Sequence, residues 1–115
     1  MIMLLMMDTL FPVATTADVV KVRIMLTDYK KALRRLRNAP AEQPLQIQAL
    51  RNLERAVDAI LDPEIRSIMQ YRFIQGHPRK AAIIKFNLIC ARTLDRKIRE
   101  GADSVANSLK TWGCI

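Results

Sequence analysis

Between residues 19 and 36, apolar side chains recur at intervals of three and four: Val19, Val22, Leu26, Tyr29, Leu33 and Leu36. That spacing follows the 3.6-residue turn of an α-helix, not the two-residue pleat of a strand. No stretch of the chain alternates apolar and polar residues convincingly, so the expected fold is all-α. Breakers divide it into about five helices. After Pro12, Thr15 or Thr16 is placed to cap a first helix that runs to about Asn38. A loop from Asn38 to Pro44, holding Pro40, separates it from a second helix, Leu45 to Leu61, with Leu50, Leu53, Val57 and Ile60 on one face. Asp62-Pro63-Glu64 is then a strong helix start: a capping acid, proline at the first helical position, and another acid. This third helix turns Ile65, Ile68 and Met69 inward and stops near Gly76. Pro78 opens a short fourth helix through Phe86, and a fifth runs from about Ala91 to Leu109.

The 115 residues suffice for one domain, and the 50% hydrophobic content is enough for a real core. The expected organisation is an N-terminal helical region over 1–62, an apolar arm plus two helices, followed by a helix-turn-helix region over 63–115. Together they make one compact domain. The Val19–Leu36 stripe spans fewer than three heptads, so packing on the chain's own core is favoured over a coiled-coil seam. A homodimer through that helix is the alternative.

Met1–Met7 is apolar but far shorter than the about 20 residues a membrane span needs. No basic n-region precedes it and no A-x-A site follows, so it reads as an arm packed on the domain. The expectation is a cytoplasmic protein with no membrane partner. Two cysteines, Cys90 and Cys114, suit a reducing compartment.

Catalytic chemistry has little to draw on. His77 is the single histidine, neither cysteine belongs to a C-x-x-C pair, and there is no glycine-rich phosphate loop. Asp58 and Asp62 stand one helical turn apart, but Asp62 is better explained as a cap. No enzyme activity, metal or cofactor is expected. His77 is read as a loop residue, Cys90 as a semi-buried helix-start residue, Cys114 as part of a frayed tail, and Trp112 as folding back onto the core.

Charge, by contrast, is informative. Lysine and arginine total 19 against 11 acids, a formal net charge of +8. The window from Arg66 to Arg99 contains Arg66, Arg72, Arg79, Lys80, Lys85, Arg92, Arg96, Lys97 and Arg99, with Asp95 its only acid, so it holds the entire +8. The first helix is basic too, but acids elsewhere offset it. A solvated helix usually mixes signs, so this segregation points to a polyanion.

The segregated charge lies on a helix-turn-helix pattern. R-K-A-A-I-I-K-F places small Ala81 and Ala82 where two helices must approach closely. The turn N-L-I-C contains Asn87, which tolerates the left-handed backbone a tight turn requires. A-R-T-L-D-R-K-I-R-E then buries Leu94 and Ile98 and presents Arg92, Thr93, Arg96, Lys97 and Arg99. A helix of this size fits the major groove, where arginine donates two parallel bonds to guanine. Arg92, Thr93, Arg96 and Lys97 are the candidates for base edges; Arg79, Lys80, Lys85 and Arg99 are those for phosphates.

These motifs resemble a family. I-R-S-I-M-Q-Y-R-F-I-Q-G as support helix and C-A-R-T-L-D-R-K-I-R-E-G-A as recognition helix are similar to the fourth region of bacterial sigma factors, as it recurs in the ArpU/RinA group of phage late-gene regulators. The group's pattern, Ser-x-Arg-Thr-apolar-x-Arg, falls on Arg92, Thr93 and Arg96, with Cys90 in place of the usual serine and a turn one residue longer. L-F-P-V-A-T-T-A-D-V-V-K-V-R-I-M-L-T-D-Y-K-K also resembles the ArpU opening, with Leu26 and Tyr29 as its Leu…Tyr pair. The resemblance implies a phage or prophage regulator of late genes that binds double-stranded DNA, with host RNA polymerase as a further partner. Two other readings stay open: a small-terminase-like DNA-packaging subunit, and a helical interaction protein that does not bind DNA.

Overall fold

The computed structural model describes residues 13–38, 44–88 and 90–115. They form five helices and, among the described residues, no strand, as the apolar spacing requires. The helices are α1 (Thr16–Asn38), α2 (Pro44–Asp58), α3 (Pro63–Met69), α4 (Arg79–Lys85) and α5 (Ala91–Thr111); a π turn over Gln70–Ile74 extends α3. The Met1–Met7 arm and the loop around Pro40 lie outside the described residues. No described helix is long and apolar enough to cross a membrane.

α1 begins with a reciprocal cap. The Asp18 amide donates to Thr15 Oγ1 at 3.2 Å, and the Thr15 amide donates to Asp18 Oδ2 at 3.0 Å. Asp18 also meets Lys110 Nζ at 3.3 Å, while the Ala14 amide donates to Asn107 Oδ1 at 2.9 Å. These bonds fix the start of α1 against the end of α5. The Thr15 amide and Lys110 hold the Asp18 carboxyl below the usual carboxylate range.

The apolar stripe of α1 faces the chain's own core. Val22, Leu26, Tyr29 and Leu36 are buried, with Val19 and Leu33 half-buried beside them. The side chains that a dimer seam along this stripe would need are therefore already covered. The Tyr29 hydroxyl donates to Glu54 Oε1 of α2, and burial together with that carboxylate raises its pKa well above the usual phenol range.

α2 ends at Asp58, three residues before the expected Leu61. Asp62 must be extended to cap α3, where its Oδ1 accepts from the Glu64 and Ile65 amides at 2.9 and 3.2 Å. The chain therefore leaves α2 early, turning Ile60 into the core and Leu61 outward at 92% exposure.

α5 is the central helix and packs against all four others. Its buried side carries Leu94, Ile98, Gly101, Ala102, Val105, Ala106 and Leu109. Gly101 is required by close approach: a Cβ there would sit 2.6 Å from Met69 Cγ and 3.1 Å from Ile65 Cγ2 of α3. α5 also runs past the expected Leu109 to Thr111. Its end is closed by a Schellman pair, Cys114 N–H to Leu109 O at 2.8 Å and Gly113 N–H to Lys110 O at 3.1 Å. The tail is thus tied down rather than frayed. Ile115 packs on the core there, whereas Trp112 remains exposed.

Candidate nucleic-acid interface

The chain reaches α4 through a widened turn. Gln75 N–H bonds Gln70 O five residues back at 2.8 Å, and His77 N–H bonds Tyr71 O at 3.2 Å. His77 lies in this loop with its ring stacked on Tyr71, centroids 4.0 Å apart. Phe86 meets Tyr71 edge-on, and Lys85 Nζ sits 5.6 Å from the same ring. Arg72 Nη1 bonds His77 O at 3.1 Å, while its buried Nε has no partner among the described residues. Periodicity carries no sign of this aromatic support, because its partners lie on a loop and two helix ends.

α4 then closes with the bond pattern seen at the end of α5. Leu88 N–H reaches Ile83 O at 3.0 Å and Asn87 N–H reaches Ile84 O at 3.2 Å. Asn87 takes the left-handed conformation, φ +52°, that the turn required of it. Fully buried Ala82 sits where α4 meets the core, and Ala81 is half-buried.

α5 starts at Cys90, whose backbone is extended. Cys90 is exposed rather than semi-buried, because this extended residue stands outside the first turn. Its Sγ lies 3.6 Å from Thr93 Oγ1, and the bonds from the Thr93 hydroxyl and amide hold the thiol below its usual range.

The eight expected contact residues fall into two groups. Arg79 forks onto Asp95, Nε to Oδ1 at 3.1 Å, and so ties α4 to α5. Lys97 pairs with Glu64 of α3 and keeps only 20% side-chain exposure. Thr93 is half-buried and engaged with Cys90. Arg79 and Lys97 thus tie helices together, while Thr93 serves the start of α5 itself.

The other five remain open. Arg92, Arg96 and Arg99 stand at i, i+4 and i+7 on the exposed side of α5, a rise of about 10 Å. Lys80 and Lys85 are exposed on α4. None of the five joins an ion pair among the described residues. Exposed Glu100 and Asp103 follow Arg99 and end the positive stretch. Chemically, the arrangement is a long arginine-bearing helix beside a short lysine-bearing one, a set of exposed cations able to bind an anion.

No protein-family model, curated protein or solved structure matches the chain.

Proposed function

We propose that this chain is a non-catalytic, sequence-specific DNA-binding regulator that lays the first turns of α5 in the major groove. The supporting observation is the α4–Asn87 turn–α5 unit, with Arg92, Arg96 and Arg99 exposed on one face and free of acid partners among the described residues. Arginine forks on that face suit guanine O6 and N7, and Lys80 and Lys85 suit the flanking phosphates. Arg79 and Lys97 would serve chiefly to hold α5 at its angle to α4 and α3, and Thr93 to close its first turn. The resemblance to ArpU/RinA regulators supplies the setting: phage or prophage late genes, in a bacterial cytoplasm.

RNA polymerase, or another protein partner, would need a different surface. Leu61 and Trp112 are exposed beside Glu100 and Asp103, lining one shallow groove. This apolar, acidic face is unsuited to DNA and suited to a protein.

The test is selection of duplexes from a random pool, followed by polarisation titration of the selected duplex and an unrelated one. The selected duplex should bind at least about 10³-fold more tightly at physiological salt. Arg92→Ala and Arg96→Ala should each cost about 1–3 kcal/mol on the selected duplex and relax its sequence preference. Equal affinity for all duplexes would overturn the regulator reading, and no binding would overturn DNA as the ligand.

A further inference from the structure

The second half of α1 carries Lys30, Lys31, Arg34, Arg35 and Arg37, with no acid among residues 29–38. Lys30, Arg34 and Arg37 line a cleft of about 340 Å³ together with Leu33 and Gly76. The opposite wall belongs to the loop that leads into α4. There the Lys30 stem crosses Gly76 so closely that a Cβ would meet its Cγ at 2.8 Å. All three cationic residues are exposed and none joins an ion pair among the described residues. Glu54 of α2, which accepts from the Tyr29 hydroxyl, does not line the cleft.

Three cations around a concave surface with no acid in its lining concentrate positive potential where an anion is to be held. An apolar ligand gains nothing there, whereas phosphate oxygens gain charge-assisted bonds from lysine and arginine. Position selects the source of those phosphates. Gly76 precedes Lys80, the nearest of the proposed phosphate contacts, by four residues, at most about 14 Å of chain, and a duplex carries a charge every about 1.7 Å along its axis. DNA seated on α4 and α5 therefore has further phosphates within reach of the cleft.

We infer that the Lys30–Arg34–Arg37 cleft is a second phosphate-backbone site, engaging the same duplex whose major groove α5 enters; the inference rests on the DNA reading above. The cleft carries no sequence information. It lengthens the contact and fixes the angle at which α5 lies.

Polarisation titrations over a salt series test this with the full chain and the variant Lys30→Gln/Arg34→Gln/Arg37→Gln, its helicity checked by circular dichroism. The slope of log affinity against log salt should fall by about 2–3, near 0.9 for each phosphate no longer neutralised. Binding should weaken by about the same factor on selected and unrelated duplexes, leaving sequence preference intact. The charge-keeping variant Lys30→Arg/Arg34→Lys/Arg37→Lys should retain the wild-type slope. Wild-type binding with an unchanged slope in the glutamine variant overturns this site alone, whereas no DNA binding by the wild type overturns the DNA reading with it. Loss of binding to anionic vesicles, with DNA binding unaltered, assigns the cleft to a membrane surface and also overturns the inference.

Discussion

Asn87 is the one non-glycine residue with positive φ among the described residues. Its left-handed backbone lets α4 stop at Lys85 and directs the chain into α5, so its effect on the interface is one of direction. A β-branched residue there should be strained: Asn87→Val is expected to cost about 1–2 kcal/mol in urea denaturation. Asn87→Gly should keep full stability, since glycine adopts that conformation freely. Equal losses in both variants would place the residue's value in side-chain contacts instead. At the same scale, spacing along the chain could not separate the interface cations. Arg79 and Arg92 look alike in sequence, but Arg79 faces Asp95 sixteen residues away while Arg92 faces no acid among the described residues.

At the scale of elements, the decisive contact is between α3 and α5. Gly101, with Ala102 and Ala106 along the same buried side, lets Met69 and Ile65 press directly onto the α5 backbone. Gly101→Val should destabilise the protein by about 1–3 kcal/mol through overpacking, read as a lowered denaturation midpoint. Adding Met69→Ala should restore part of that stability, because the space removed at one position is returned at the other. Additive losses would show that the two residues do not share the site. The same packing sets how α5 stands relative to α4, so the double variant should also bind DNA more tightly than the Gly101→Val single variant. Helix starts were legible in advance here because caps are local: Thr15 with Asp18, and Asp62 with Glu64, satisfy amides within three residues. Helix ends were less so. α2 stops early for the sake of the Asp62 cap, and α5 runs on because Gly113 closes it.

Across the whole molecule, the α1 stripe joins the basic C-terminal unit to the N-terminal helices in one core. Leu26→Ala should cost about 2–5 kcal/mol, the usual range for a truncated core leucine. Because the stripe packs within the chain, that loss should not vary with protein concentration; a midpoint that rose with concentration would indicate a seam between copies. The all-α class, the number of helices, the inward residues Ile65, Ile68, Met69, Leu94 and Ile98, and the segregation of charge were all written in the amino-acid sequence. Each depends on spacing along one helix or on the chemistry of neighbouring residues, which the chain carries wherever it folds. Which of the candidate contact residues are tethered and which stay open was decided by tertiary structure alone. So was the cleft that Lys30 forms with Gly76. These join residues up to some forty-six positions apart, and only the packing of α1, α3 and α4 around α5 brings such residues within contact distance.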